Sequence, residues 1–300
     1  MARRTGLRAD VGLTARMFFT MFLLAALYLG FAAVLLRAGV GITSMVVIVA
    51  IMLGVQYFFS DRLVLWSMGA REVSEREAPE LHAMVGRLAQ LADLPKPKIA
   101  IVQTSVPNAF ATGRNPQNAV VAFTTGILDR LEPGELEGVA AHELAHIKHR
   151  DMTVITLASF FATVASFILQ QAMWWGFPID RDRDRDGRSS IVLVYLASLV
   201  VWVISFFLIR ALSRYREYAA DRGAAILTGA PSRLAAALIK ISNSMSRIPE
   251  RDLRQAEGFN AFFIIPAIRG ESLFELFSTH PSLEKRLAYL RRLEEEIERR

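Results

Sequence analysis

Five consecutive residues, His142-Glu143-Leu144-Ala145-His146, carry imidazoles four positions apart with a carboxylate beside the first. The surrounding stretch, Glu135–His149, reads as a helix, and on a helix residues four apart share one face. Both rings can then offer a nitrogen to a single metal ion at about 2.0–2.1 Å. Glu143 lies roughly 100° around the helix from His142, placed to reach a water on that ion without binding the ion itself. Histidine is scarce here, five in the whole chain, so the placement of His142 and His146 around a glutamate carries weight. His142 and His146 are candidate metal ligands and Glu143 is a candidate general base. The alternative reading of the same letters is a charged surface helix.

A zinc ion needs a third protein ligand, with a fourth position left to water if the site is catalytic. His149 shares the face of His142 but lies about 10.5 Å further along the axis at 1.5 Å per residue, too far for one ion to reach both. It reads instead as part of a basic cluster with Lys148 and Arg150. Further on, Ser213-Arg-Tyr-Arg-Glu-Tyr-Ala-Ala-Asp-Arg222 sets Glu217 and Asp221 four apart. That spacing suits a ligating Glu217, with Asp221 accepting the other ring N–H of a ligating histidine. Ordinary ion pairing among Arg214, Arg216, Glu217 and Asp221 fits equally well, and Glu257, Glu271 and Glu275 compete as ligands.

These groups must be held by the elements around them, and the composition says what kind. Apolar residues make up 53% of the chain and mean hydropathy is +0.31, both pointing toward a membrane. Uncharged runs at Met17–Leu36, Ala38–Ser60, Met152–Ile179 and Ser189–Ile209 are each long enough to cross a hydrocarbon core, which takes about 20 helical residues. The first run is longer than a signal-peptide core and is followed at once by the second, so it reads as an uncleaved anchor. The result is two transmembrane hairpins. Arg3, Arg4, Arg8 and Arg16 precede the first span, and only Arg37 lies in the first inter-span loop, which puts the N-terminus in the cytoplasm. The arginines of the loop Asp180–Arg188 run against that orientation. An even number of crossings separates the histidine pair from Glu217, so the two segments emerge on the same side whichever way the chain is oriented.

Absence of cysteine excludes disulfides, thiol nucleophiles and thiolate metal sites. The net charge of +6 is spread over the termini and juxtamembrane stretches and fits anchoring beside anionic lipid. No basic patch interleaved with aromatics argues for nucleic acid. Residues 75–94 show helical spacing at Leu81, Met84, Val85, Leu88 and Leu91, and Lys98–Val102 and Ala119–Phe123 read as short strands. Between the strands, Asn108–Asn118 reads as a turn-rich connector. Residues 243–258 lack periodicity and read as a flap or linker. A charged terminal helix, Leu283–Arg299, has its packing positions at Leu287, Leu290, Leu293 and Ile297.

His142-Glu-Leu-Ala-His146 ahead of a membrane hairpin, with Glu217-Tyr-Ala-Ala-Asp221 after it, resembles the M48 metallopeptidases and, among them, the HtpX-type membrane proteases. The resemblance spans nearly the whole chain and includes Asn108-Ala-Phe-Ala-Thr-Gly113 and Ser278-Thr-His-Pro281. It implies a mostly α-helical membrane protein, with four transmembrane helices plus a cytoplasmic α+β zincin-like domain containing a small β-sheet. The segments would be 1–60 (first hairpin), 61–151 (the His-Glu-x-x-His subdomain), 152–212 (second hairpin) and 213–300 (the part bearing the third ligand). It also implies zinc held by His142, His146 and Glu217, with Glu143, Asp221 and His280 as catalytic residues. His280 would sit near the oxyanion. Asn108, Ala109 and Phe110 would line the substrate groove, and Ala119, Val120 and Val121 would form an edge strand that holds an extended peptide by main-chain hydrogen bonds.

The activity implied is endoproteolysis of misfolded or damaged membrane proteins at the cytoplasmic face of the cell (inner or plasma) membrane, as quality control under stress. The partners would be membrane-protein substrates and the lipid bilayer. A rival is a non-catalytic membrane scaffold with a structural zinc site, but structural sites close with four protein ligands and three are found. A transporter is disfavoured because none of the four spans contains a charged side chain.

Overall fold

The computed structural model describes residues 7, 10–175, 185–247 and 278–299. Helix α1 (Val11–Arg37) starts where the Asp10 carboxylate accepts the Leu13 N–H at 2.9 Å. A turn through Gly39 at φ 90° joins it to α2 (Ile42–Ser67). After the soluble elements come α6 (Asp151–Trp175) and α7 (Arg185–Thr228). Each of these four helices is long and apolar enough to cross a membrane. They overlap the runs expected to be spans. The inter-element boundaries expected at 60/61 and 212/213 fall inside α2 and α7, which run on without a break.

α7 is 44 residues long, about 66 Å at 1.5 Å per residue and roughly twice what a bilayer core requires. Its first half is an apolar run. Its second half carries Glu217 and Asp221 into the soluble part of the molecule. Leu24, Tyr28, Phe31 and Leu35 of α1 pack with Ala158 and Ala165 of α6 and Val201 and Leu212 of α7 in one apolar cluster. There the Tyr28 hydroxyl donates to the Ala158 carbonyl at 2.5 Å.

The soluble elements are β1 (Arg71–Glu72), α3 (Pro79–Ala92), β2 (Lys98–Val102), β3 (Ala109–Thr112), β4 (Val120–Thr124), α4 (Thr125–Leu128), α5 (Pro133–Lys148), α8 (Pro231–Met245) and α9 (Leu283–Glu298). The sheet order is β1-β2-β4-β3, with β2 and β4 parallel and the outer pairings antiparallel. β4 is therefore an interior strand, and the expectation that Ala119–Phe123 forms an edge is corrected. The edge beside it is β3, which lies within the stretch read as a connector. Every residue of β4 is buried, because one face meets the main core and the other meets Val64, Leu65 and Met68 at the end of α2. An unbroken apolar run is the pattern of a strand covered on both sides. β3 was hidden by its flanks: Pro107 and Asn108 lead in, and Gly113 leaves at φ 138°, where an added Cβ would lie 2.7 Å from the Ala119 Cα.

α5 runs through the centre of the soluble core. Pro133 suits its first turn, and Glu132 and Glu135 cap each other reciprocally, the Glu132 N–H donating to Glu135 Oε2 at 2.8 Å. Lys240 of α8 bonds both carboxylates and ties the two helices together. Val139, Ala140, Ala141 and Leu144 are fully buried against α3, α8 and the sheet. In α3, Leu81, Val85 and Leu88 are buried as their spacing predicts, but Leu91 is 44% exposed and the chain buries Ala92 instead.

Candidate metal centre

α5 ends at Lys148, and Arg150 adopts a left-handed conformation at φ 54° before α6 begins at Asp151. That conformation costs a non-glycine residue roughly 1–2 kcal/mol, and here it turns the chain sharply from one helix into the next. On the other side, α7 lies against α5 where Gly223 faces Ala145. A Cβ on Gly223 would sit 2.5 Å from the Ala145 Cβ, so the approach of these two helices depends on glycine. The corner and the close approach together bring α5, the start of α6 and the second half of α7 around one point.

At that point one ligand atom from each of His142, His146 and Glu217 lies within 4.8 Å of the others. The Nε2 atoms of the two imidazoles are 3.1 Å apart. Glu217 closes the triangle, with Oε2 3.7 Å from His142 Nε2 and Oε1 3.4 Å from His146 Nε2. The far nitrogen of each ring meets a carboxylate: His142 Nδ1 is 3.0 Å from Asp221 Oδ1, and His146 Nδ1 is 2.6 Å from Asp151 Oδ2. An ionised carboxylate only accepts, so one beside each Nδ1 favours the tautomer with its proton there and leaves Nε2 to face the common point. Lone pairs that face each other at this distance repel unless a cation lies between them.

Charge bookkeeping points the same way. Glu143, Asp151, Glu217 and Asp221 are buried around the imidazoles, and two buried guanidiniums, Arg216 and Arg286, face them. Arg286 Nε and Nη2 donate to Asp221 at 3.0 and 2.5 Å, its Nη1 lies 3.2 Å from Glu217, and Arg216 pairs with Asp151. Counted as ionised, the four carboxylates exceed the two guanidiniums by two negative charges, which a divalent cation would balance. Burial opposes protonation of both imidazoles. Even so, Asp221 and Glu217 beside His142, and Glu217 beside His146, raise both rings above the ordinary histidine value. The cluster draws positive charge to its centre, and its nitrogen and oxygen donors suit a borderline metal.

Glu143 sits beside the triangle, 4% exposed, with its carboxylate accepting the backbone N–H of Ala111 in β3. Burial pushes its carboxyl above the usual range, and the neighbouring Glu217 adds to this against the pull of the imidazoles and the Ala111 N–H. His280 Nδ1 lies 3.1 Å from Glu217 Oε2. Its loop is tied to α7 by Arg214, which donates to the Ser278 carbonyl at 2.9 Å, and is closed by the Ser278 hydroxyl, which donates to the His280 carbonyl.

The structure thus brings together His142, Glu143, His146, Glu217, Asp221 and His280. His149 stays outside the triangle. Asn108 keeps its backbone within the sheet, exchanging bonds with Thr124, and Phe110 turns its ring toward the end of α2. Ala119, Val120 and Val121 lie behind β3 and offer no free edge. The competing carboxylates Glu257, Glu271 and Glu275 lie outside the described residues, as does the stretch read as a flap or linker (243–258) from residue 248 onward, while its first three residues belong to α8. Asp151 and Arg286 were not anticipated, and Arg216, weighed as an ion partner within its own helix, pairs with Asp151. Asp151 carried one signal, an acidic residue at the first position of a new helix directly after the histidine motif. Arg286 carried none, since it sits among other charges on a helix read only for its apolar face.

A buried two-histidine, one-glutamate triangle with a second glutamate alongside, set beside four apolar helices, defines a multi-pass membrane metalloprotease. The chain belongs to peptidase family M48, whose family model matches residues 75–294, and within it to the HtpX type. It is 73% identical over 297 residues to "Protease HtpX homolog" of Moorella thermoacetica, covering 99% of both chains. It is also 60% identical over 288 residues to "Protease HtpX homolog 2" of Methanosarcina acetivorans, covering 96% of this chain and 97% of that one. Among solved structures it resembles the crystal structure of S. mikatae Ste24p, with a TM-score of 0.56 at 17% identity over 94% of this chain and 67% of that one. At that identity the likeness concerns the fold.

Proposed function

We propose that this chain is a zinc endopeptidase that cleaves misfolded or damaged membrane proteins at the cytoplasmic membrane surface. One observation carries the reading: His142 Nε2, His146 Nε2 and a Glu217 oxygen converge on one point, with Glu143 beside it. His142, His146 and Glu217 would hold zinc, which when bound polarises a scissile carbonyl and makes an attacking water acidic. Glu143 takes the proton of that water and passes it to the departing amine. Its burial keeps it basic enough for the first transfer and able to release the proton in the second. His280, held beside Glu217, faces the carbonyl oxygen as negative charge develops there.

β3, and not β4, is the strand that receives substrate. In an antiparallel pair, alternate residues turn their main-chain groups outward. Because Asn108 bonds inward to Thr124, Ala109 and Ala111 present theirs to the groove, and the Ala111 N–H already meets Glu143. An extended peptide bonded to these groups is read by its backbone, which suits a protease acting on unfolded chains of varied sequence. The arginines ahead of α1 support a cytoplasmic active site.

The test is cleavage of an unfolded membrane protein by the purified, detergent-solubilised chain, with Glu143→Gln alongside, after chelation and after zinc is returned. Zinc-restored cleavage by the unmodified chain alone is the expected result. Cleavage that survives chelation, or that Glu143→Gln retains, would remove the mechanism.

A further inference from the structure

We infer that Asp151 and Arg216 are positioning residues for His146, so that the membrane hairpin α6–α7 itself orients one of the metal ligands. His142 is oriented by Asp221 near the end of α7, which α9 holds through Arg286. The partners of His146 come from both helices of the hairpin, Asp151 from α6 and Arg216 from α7. Asp151 is the first residue of α6, 6% exposed, with Oδ2 2.6 Å from His146 Nδ1. Its other oxygen pairs with Arg216 of α7, which is 4% exposed.

The chemistry follows from that chain of contacts. The carboxylate keeps the His146 proton on Nδ1 and the Nε2 lone pair on the metal side. Arg216, paired with the other oxygen, fixes the rotation of the carboxylate, so the acceptor oxygen stays on the ring. The left-handed Arg150 at φ 54° is the corner that lets the first residue of a membrane helix reach back onto α5. A strained residue at such a corner persists because the surrounding contacts demand it. A shift of α6 against α7 would therefore be felt at His146 before it reached His142.

The inference rests on the metal reading of the site, and its test separates the two. Zinc affinity of the full-length chain in detergent is measured by chelator competition for the unmodified protein, Asp151→Asn, Asp151→Glu and Arg216→Gln. Cobalt-substituted absorption spectra and metal-free thermal unfolding are recorded for each. Loss of an outer hydrogen-bond partner of a ligating histidine costs about 10–100-fold in metal affinity. That loss is expected for Asp151→Asn, with an altered cobalt spectrum, partial recovery in Asp151→Glu and a smaller loss in Arg216→Gln. If Asp151→Asn lowers metal-free melting but binds zinc as the unmodified chain does, with the same cobalt spectrum, the pair is only structural and the inference is overturned.

If the unmodified chain takes up no zinc, the metal reading fails instead. The positioning role is then judged by nitrogen-15 NMR of histidine-labelled, metal-free protein. A His146 proton on Nδ1 supports the role of Asp151, and one on Nε2 removes it. This second readout also serves where a variant fails to fold.

Discussion

α5 and α7 meet to build one site, but they are held in different ways. α5 is enclosed by protein on nearly every side, with Val139, Ala140, Ala141 and Leu144 fully buried. α7 is not: Leu193, Leu196, Leu199 and Val200 are 46–57% exposed along its first half, while Ala220, Ala224 and Ala225 in its second half are fully buried. The first helix takes its position from a soluble core. The second is held by that core near its end and by α1 and α6 along its span. A helix so placed can put charges at the membrane surface without exposing them, because Glu217 and Asp221 come just after the span and are covered by α5 and α9. The two helices also divide the chemistry, since α5 supplies both imidazoles and the proton carrier while α7 supplies the carboxylates that define where positive charge sits.

Breaking the α7 half should have the largest effect. Glu217→Ala removes the only carboxylate in the triangle and leaves two neutral imidazoles, fewer ligands than a stable zinc site needs. Metal analysis after dialysis should find the variant empty and proteolysis at background. Stoichiometric zinc in that variant would place the third ligand elsewhere. Breaking the α5 half at Glu143 should have a different signature. Glu143→Gln keeps size and burial and leaves the triangle intact, so zinc content should match the unmodified chain while turnover falls about 10²–10⁴-fold. An equal loss of metal in both variants would mean that the two halves do not divide the work in this way.

A smaller effect is expected at Asp221. Asp221→Asn still accepts from one neighbour, but Arg286 is left buried against reduced negative charge. Zinc affinity should drop about 10–100-fold, with activity recovering at saturating zinc. A loss of activity that excess zinc cannot restore would give Asp221 a part in turnover itself.

The unequal holding of the two helices also decides what the sequence revealed. His142, Glu143 and His146 were legible because one helical turn brings them together, and the Glu217–Asp221 pair was legible for the same reason. The parity of the spans allowed their union across a membrane hairpin, and the family resemblance supplied it. Asp151 and Arg286 were not legible, because they join the site through a sharp corner and through docking of the terminal helix, neither of which leaves a period in the sequence. The sheet edge was misread because small residues bounded by Pro107 and Gly113 look like a turn. The unbroken apolar run Val120–Phe123, taken for an edge, carried the mark of an interior strand.

The seam between α5 and α7 offers the finest probe. Gly223 faces Ala145 closely enough that a methyl on it would lie 2.5 Å from the Ala145 Cβ. Neither partner is a flexible side-chain end, so Gly223→Ala must push the helices apart. Overpacking of this kind costs about 1–3 kcal/mol. Because Ala145 precedes His146 and Gly223 follows Asp221 by two positions, the displacement should also loosen the triangle and weaken zinc binding. Ala145→Gly removes the opposing methyl at a cost of roughly 1 kcal/mol in helix propensity. Combined with Gly223→Ala it should restore the approach, so the double variant should bind zinc more tightly than Gly223→Ala alone. Zinc titration and thermal unfolding of the four members of this cycle measure the coupling. Additive effects would show that the seam carries no strain between the two helices, and that α7 is positioned on α5 by its other contacts.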